Sequence, residues 1–215
     1  MTSPTVFVVD DESAVRESLR WLIEAVSLPV RTFESAETFL GSLDPRAHGV
    51  VLLDIRMPGM SGLDLLERFV PHPVALPVIV LTAHADVEMA VQAMRSGAFD
   101  MLEKPFKSDV LVDRVRRALA MDAARLPDRL EALDLRAALE TLTPRERDVL
   151  FELQTGQTNK EVGSTLDISP RTVEIHRARI LQKTATDSVT ELVRRLVRHG
   201  LAPTRGATGE SNAAV

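Results

Sequence analysis

Three features are absent from this sequence, and each absence excludes a class of protein. There is no cysteine, so disulfide bonds, zinc–thiolate sites and cysteine nucleophiles are ruled out. No apolar run reaches the roughly 20 residues that a membrane-spanning helix needs, so we expect no membrane segment. Residues 1–5 lack the basic start and the apolar stretch of a secretory signal, which favours a cytoplasmic protein.

The composition is that of an ordinary globular protein. Of the 215 residues, 45% are hydrophobic and 27% are charged, and this length suits one large domain or two small ones. The net charge of −5 is unevenly distributed. Residues 1–142 carry 15 basic and 22 acidic side chains, whereas residues 143–200 carry 10 basic and 8 acidic ones. Two halves with net charges of opposite sign indicate that the halves bind different partners.

Short apolar runs alternate with amphipathic stretches over the first 120 residues. The runs lack polar alternation, which is typical of strands buried on both faces of a sheet. The stretches repeat apolar residues at helical spacing, as in the stripe of Val87, Val91 and Met94, which we expect to face the sheet. Five strand-then-helix units predict a parallel sheet covered by helices on both faces, an α/β fold. The runs are 5–9, 30–33, 50–53, 78–81 and 99–102.

The second half contains helix signals only. From Thr143 onward there is no strand-like run, and residues 166–169 separate two predicted helices at helix-turn-helix spacing. Between the halves, residues 122–140 are predicted to form a partly helical linker that Pro127 should break or kink. A plain spacer and a dimerising helix pair both fit this linker. The four helix starts, each with a capping residue, are Thr143-Pro144, Thr158-Asn159, Ser169-Pro170 and Ser188-Val189.

Reactive side chains follow four of the predicted strands, namely Asp10, Asp11, Asp54, Thr82 and Lys104. Ligands of open α/β sheets bind at the carboxyl ends of the strands, so we expect these five groups to converge. Taken singly, each of the three acids is explained as a helix cap or a loop residue, but the five side chains together indicate a site. Three carboxylates repel one another unless a cation joins them, and oxygen ligands favour Mg²⁺. One carboxylate would then attack phosphorus, because aspartyl phosphates are a known outcome of carboxylate nucleophiles.

Residues 5–120 resemble the receiver domain of two-component response regulators, which has a flavodoxin-like, doubly wound (βα)5 fold. The resemblance implies that Asp54 is the phosphoacceptor and that Thr82 and Lys104 hold phosphoryl oxygens. It also implies Mg²⁺ coordination by Asp11, Asp54 and the backbone carbonyl of Arg56, with Asp10 acting through water. A cis peptide bond between Lys104 and Pro105 is implied as well. The matching motifs are 8–12, 52–62, 81–86 and 103–106.

The sequence departs from the receiver pattern at Met101, where an aromatic residue usually responds to the movement of Thr82. A thioether is flexible and apolar, so it can still repack when Thr82 moves. We therefore expect Thr82 and Met101 to form the switch. The surface that responds is expected to comprise Met89, Gln92, Ala93, Arg95, Val110 and Arg114.

The predicted helix over about residues 170–183 has two unlike faces. Val173, His176, Ile180 and Thr184 form a core side, whereas the other side combines basic, hydrogen-bonding and small groups, as a major-groove helix requires. An exposed Ile175 would contact a thymine methyl group; a solvated helix with ordinary charges is the alternative. The predicted DNA contacts are Lys160, Arg171, Thr172, Glu174, Ile175, Arg177, Ala178, Arg179, Gln182 and Lys183.

The motifs at residues 142–150, 159–162 and 166–180 match those of a known domain. Through them, residues 141–200 resemble the LuxR-type helix-turn-helix domain of NarL/FixJ regulators. The resemblance implies double-stranded DNA as a partner. It also implies that the last helix, with its wide apolar stripe from Val189 to Val197, dimerises the DNA-bound form.

Together these features predict an α/β receiver over 1–121, a linker over 122–140, an all-α four-helix DNA-binding domain over 141–202 and a disordered tail over 203–215. A sensor histidine kinase would phosphorylate Asp54, and the homodimer would regulate transcription, with RNA polymerase as a further partner and no enzymatic role. Two alternatives stay open. One is a Mg²⁺-dependent phosphatase with an aspartate nucleophile, which would need a second acid where Arg56 stands. The other is a module whose helix-turn-helix binds protein or RNA.

Overall fold

The computed structural model describes residues 3–69, 75–83, 87–202 and 205. The chain divides into two compact units, Met1–Leu130 and Glu131–Val215. None of the described helices is both long and apolar enough to cross a membrane. The predicted disorder of the tail concerns residues 203–215, which lie outside the described residues apart from Arg205.

The first unit contains a five-stranded sheet in the order β2-β1-β3-β4-β5, and all four strand pairs are parallel. This order confirms the predicted doubly wound α/β fold. Its elements are β1 Thr5–Val9, α1 Ser13–Glu24, β2 Val30–Phe33, α2 Ala36–Gly41, β3 Gly49–Asp54, α3 Gly62–Phe69, β4 Val78–Thr82, α4 Val87–Arg95, β5 Asp100–Glu103 and the first part of α5, which runs Ser108–Glu140.

Alternate residues of the central strands enter two separate core layers. Val51 on β3 packs with side chains of α2, α3 and α4, whereas its neighbour Leu52 packs with side chains of α1 and α5. Every residue of β3 and β4 is buried. The uninterrupted apolar runs in the sequence are explained by this burial on both faces. The same burial holds the carboxyl ends of the strands in fixed positions.

The predicted orientation of α4 is wrong. Val87, Val91 and Met94 were expected to face the sheet, yet they are exposed at 81%, 43% and 51%. The helix instead turns small side chains inward: Ala93 is fully buried in the core, so its place on the predicted responding surface is wrong as well. Small residues let the helix approach the sheet closely, and their weak apolar signal hid the buried face from periodicity arguments.

Of the break or kink predicted at Pro127, the break is wrong. One helix, α5, continues from Ser108 to Glu140 with Pro127 in its interior, so residues 122–140 are helical throughout. An interior proline removes one helical hydrogen bond and clashes with the preceding turn. Contacts elsewhere in the fold must therefore offset this cost.

The second unit contains α6 Pro144–Leu153, α7 Asn159–Leu166, α8 Pro170–Thr184 and α9 Val189–Arg198. The predicted helix starts are confirmed: Thr143 and Thr158 each form a complete capping box, and Ser169 and Ser188 each accept a backbone hydrogen bond as N-caps. The turn between α7 and α8 bends at Asp167, a non-glycine residue in the left-handed conformation with φ of 53°.

Candidate functional site

One ammonium group joins two buried carboxylates at the carboxyl edge of the sheet. Lys104 Nζ lies 2.9 Å from Asp10 Oδ2 and 2.7 Å from Asp54 Oδ1. Asp10 follows β1, Asp54 ends β3 and Lys104 follows β5, so three separate strands bring these groups together. The exposed fractions of Asp10 and Asp54 are 1% and 9%. The predicted convergence of these three side chains is confirmed.

The backbone fixes both carboxylates in place. The N–H of Glu12 donates to Asp10 Oδ1 at 2.9 Å, and the N–H of Arg56 donates to Asp54 Oδ2 at 2.7 Å. The chain after Asp54 folds back so closely that a Cβ at Gly62 would lie 2.1 Å from the Asp54 carbonyl oxygen. Only glycine permits this approach, which positions the loop beside the acidic side chain.

The surroundings of Lys104 favour the charged form of its side chain. Burial alone would lower the pKa of its ammonium group, but hydrogen bonds to Asp54 and Asp10 and the charges of these two carboxylates raise the pKa above its ordinary value. The ammonium group therefore stays protonated at neutral pH. It offsets the repulsion between two acids that would otherwise face each other out of water.

Thr82 and Asp11 occupy different environments. Thr82, at the end of β4, is buried, and its hydroxyl lies 3.8 Å from Met89 Sδ of α4. The backbone N–H of Lys104 donates to the carbonyl oxygen of Thr82 at 2.7 Å, and the Lys104–Pro105 peptide bond is cis, as expected. Asp11 is exposed, and its backbone carbonyl accepts a hydrogen bond from Arg16.

The donor set at this edge fits a hard divalent cation. Asp10 and Asp54 each place an oxygen within hydrogen-bond distance of the same nitrogen, so both carboxylates reach one point in space. Carboxylate oxygens are the ligands that Mg²⁺ prefers. Among the described residues, however, no three acidic or histidine side chains converge as a ready-made metal cluster.

Two supporting residues were missed by sequence reasoning. The guanidinium of Arg16 on α1 donates to the backbone carbonyls of Asp10 and Asp11 at 2.7 and 2.9 Å, which fixes the acidic loop. Glu37 accepts a hydrogen bond from the backbone N–H of Met60, in the loop after β3. Neither residue lies in a motif, and helical periodicity assigns both simply to exposed helix positions. Only the tertiary structure identifies them.

The second unit presents α8 as predicted. Val173, Ile180 and Thr184 are buried in its core, whereas the opposite face is exposed, including Ile175 at 47%. The side chain of Ser169 caps the first turn by accepting from the N–H of Thr172 at 3.0 Å. Of the predicted DNA contacts, the exposed ones are Lys160, Arg171, Glu174, Ile175, Ala178, Arg179, Gln182 and Lys183, and the half-buried ones are Thr172 and Arg177.

Lys183 has a structural partner within its own unit. Its ammonium lies 2.7 Å from Glu146 Oε2 and 2.9 Å from the carbonyl oxygen of Thr141. Burial would raise the pKa of the Glu146 carboxyl, but hydrogen bonds from Lys183 and Thr143 hold it below the ordinary value. This ion pair joins α6 to the end of α8, so Lys183 contributes to the stability of the unit, and its contact with DNA stays a prediction.

The change Glu146→Gln should lower the stability of the second unit by about 1–3 kcal/mol at pH 7, because it leaves the Lys183 ammonium without its charged partner. A carboxyl with a depressed pKa stabilises the fold above its ordinary pKa and loses that effect as the pH falls through its folded value. The difference in stability between variant and wild type should therefore become smaller below pH 4.5. Amide hydrogen exchange in α6 and α8 measures this stability difference, and the exposed variant Glu174→Gln is the control. A stability difference as large at pH 3 as at pH 7 would contradict the ion-pair role.

Comparisons with known proteins match both units. Residues 6–116 match the response regulator receiver domain, and residues 140–196 match the bacterial regulatory proteins of the luxR family. The chain is 43% identical to the transcriptional regulatory protein FixJ of Rhizobium meliloti, over 94% of this chain and 100% of that protein. It is 43% identical to the transcriptional regulatory protein TdiR of Thauera aromatica, over 90% and 86% of the two chains.

Solved structures agree with these sequence matches. The response regulator StyR superposes with a TM-score of 0.65 at 40% identity, covering 92% of this chain and 100% of that one. Full-length FixJ from B. japonicum gives a TM-score of 0.52 at 38% identity, covering 93% and 98%.

A receiver sheet with paired acids and a lysine at its edge, followed by a LuxR-type helix-turn-helix unit, defines a transcriptional response regulator. Within that class, the chain belongs to the NarL/FixJ family. The receiver domain implies a histidine kinase as a partner, and the LuxR-type domain implies binding to DNA. Members of this family are DNA-binding regulators rather than enzymes in the usual sense, and receiver domains generally bind Mg²⁺ at their phosphorylation site.

Proposed function

We propose that Asp54 accepts a phosphoryl group from a histidine kinase and that this event controls DNA binding by the second unit. The observation that carries the proposal is the position of the Lys104 ammonium between the Asp54 and Asp10 carboxylates. A cation already in contact with Asp54 is placed to hold a phosphoryl oxygen as negative charge accumulates there. Asp54 is the carboxylate that ends a central strand, with its second oxygen oriented by the N–H of Arg56.

The transfer exchanges one bond to phosphorus for another. An oxygen of Asp54 attacks the phosphorus, the bond from phosphorus to the kinase histidine breaks, and the electron pair returns to that imidazole nitrogen. Lys104 offers its ammonium to one phosphoryl oxygen, and the Thr82 hydroxyl donates to another after rotating from Met89. Bound Mg²⁺ would neutralise charge on the phosphoryl group. Its proposed ligands are Asp11, Asp54 and the Arg56 carbonyl, with Asp10 acting through water.

The movement of Thr82 is proposed to reach α4 through two methionines. Met89 contacts the Thr82 hydroxyl, and Met89 and Met101 both pack half-buried against the same core cluster. When Thr82 turns toward the phosphoryl group, these flexible side chains repack. The exposed apolar residues Val87, Val91 and Met94 lie on the same helix, and such a stripe marks a contact surface. We propose that this stripe pairs two receivers after phosphorylation.

The second unit is proposed to enter the major groove with α8. The charged side chains Arg171, Arg177 and Arg179 would contact phosphates or guanine, and Ile175 would contact a thymine methyl group. Val193 and Val197 on α9, of which Val197 is 75% exposed, would pair two DNA-bound copies. Contact with RNA polymerase stays a prediction for which no surface is proposed.

Selection from a random duplex library tests the proposed function. The full chain, activated with Mg²⁺ and beryllofluoride, should enrich a two-fold repeated motif, because two recognition helices bind two half-sites. Failure to enrich any DNA motif would favour a module that binds protein or RNA. A turnover assay on small phosphate esters addresses the phosphatase alternative. Hydrolysis of many esters per Asp54 would contradict a role limited to signalling.

A further inference from the structure

The continuity of α5 across Pro127 requires an explanation. Proline has no N–H to donate to the carbonyl of Ala123, and its ring crowds the preceding turn, at a cost of about 3 kcal/mol or more. An isolated segment of this sequence should therefore break near Pro127. The structure nevertheless contains one helix from Ser108 to Glu140.

A cluster of polar side chains surrounds this weak point, and we name it the α5 clasp. Its centre is Asp122, whose Oδ2 accepts from the backbone N–H of Gly49 at 2.8 Å and lies 2.5 Å from Nδ1 of His48. Asp122 Oδ1 accepts from Arg129 at 2.6 Å, and the same guanidinium donates to the carbonyl oxygen of Ala47 at 2.7 Å. The clasp thus comprises Ala47, His48, Gly49, Asp122 and Arg129, all within the first unit.

The clasp holds α5 on both sides of the proline. Asp122 lies five residues before Pro127 and Arg129 lies two residues after it, so the two side chains are seven residues apart, on one face of the helix. The Asp122–Arg129 ion pair therefore bridges the turn that Pro127 weakens. Both side chains also reach the loop and strand start at residues 47–49, which anchors each side of the weak point to the same rigid element.

Burial makes the members of the clasp depend on one another. The side chains of Asp122 and Arg129 are only 1% and 9% exposed, so each charge relies on the other for compensation. Removing one partner of a buried pair leaves an uncompensated charge, which is much more costly than losing an exposed pair. At Gly49 the chain lies so close to β1 that a Cβ would stand 1.9 Å from the Thr5 carbonyl oxygen, and Gly49 is paired with Thr5 in the sheet.

We propose that the α5 clasp is a conformational device that keeps the linker helix continuous, and that the helix breaks at Pro127 when the clasp opens. With the clasp closed, the linker is a stiff helical spacer; with it open, the linker has a joint at residues 123–127. The stiffness of a linker sets the effective concentration of the domain that it carries. The clasp residues therefore control whether the linker over residues 122–140 stays one helix, independently of the acidic site.

Hydrogen exchange on the full chain tests this inference. Asp122→Asn should accelerate amide exchange at residues 123–130 at least tenfold, while the exposed control Asp128→Asn on the same helix leaves it unchanged. Adding Pro127→Ala to Asp122→Asn should restore slow exchange, because a helix without the proline no longer needs the clasp. Amide exchange in the fully buried strand β3 reports in parallel whether the receiver remains folded.

Two outcomes would overturn the proposal. One is unchanged exchange at residues 123–130 in Asp122→Asn. The other is a double variant that exchanges as fast as Asp122→Asn although β3 stays protected, since that result assigns Asp122 a purely structural role. If Asp122→Asn unfolds the receiver, Arg129→Met replaces it as the test variant. This change removes the contacts of Arg129 with Asp122 and with the Ala47 carbonyl, and it keeps the hydrogen bonds of Asp122 to His48 and Gly49. The same acceleration, and the same rescue by Pro127→Ala, are then required.

Discussion

Phosphoryl labelling by acetyl phosphate should fall to background in the variant Asp54→Asn. Asparagine has nearly the same shape as aspartate, and its amide oxygen can still accept from Lys104, so the receiver should remain folded. It lacks the anionic oxygen that attacks phosphorus, and the acyl phosphate therefore cannot form. Intact-protein mass spectrometry of the full chain with Mg²⁺ measures the result directly.

The matched control for this experiment is Asp113→Asn, which removes one exposed acidic charge from α5 and should label like wild type. Asp10→Asn forms a second arm, because Asp10 shares the Lys104 ammonium but belongs to another strand. Labelling that persists in Asp54→Asn and disappears in Asp10→Asn would move the acceptor to Asp10. Labelling that persists in both variants would show that neither Asp54 nor Asp10 is the phosphoryl acceptor.

DNA binding should weaken by about 10- to 100-fold in Arg179→Ala, which corresponds to about 1–3 kcal/mol for one specific contact. Arg179 is exposed on the face of α8 opposite the buried Val173 and Ile180, so its loss should leave the unit folded. Fluorescence anisotropy on the selected duplex at a fixed salt concentration measures the effect, and the salt slope separates two kinds of contact. A phosphate contact weakens all sequences alike and reduces the slope, whereas a base contact relaxes specificity at one position.

The control for this prediction is Arg136→Ala, an exposed arginine of the second unit outside α7 and α8. It removes the same charge, so a general electrostatic effect would appear equally in both variants. Equal affinity of Arg179→Ala and wild type would show that α8 presents a different face to the groove.

The fold and the acidic site were largely predictable because their signals are local or follow from topology. Buried parallel strands produce uninterrupted apolar runs, and the carboxyl ends of such strands meet at one edge. Asp10, Asp54 and Lys104 could therefore be brought together without coordinates. The capping boxes at Thr143 and Thr158 were predictable for a similar reason, since cap and acceptor lie three residues apart.

The failures involve residues whose roles depend on distant partners. Periodicity predicted that Val87 and Val91 would be buried because valine is more apolar than alanine, yet close packing on the sheet selected Ala93. Pro127 predicts a helix break when only the local chain is considered, and the clasp that opposes the break joins residues more than 70 positions apart. The ion pair between Lys183 and Glu146 was missed because the buried Glu146 partner is visible only in the folded unit.

The most direct measurement of the central claim is the affinity of the full chain for its selected duplex with and without Mg²⁺ and beryllofluoride. The account predicts that activation tightens binding by at least about tenfold, because pairing two receivers raises the effective concentration of the second recognition helix. Asp54→Asn should bind with the weaker affinity under both conditions. Equal affinity of wild type in the two states, or tightening that survives in Asp54→Asn, would contradict control of DNA binding by the acidic site.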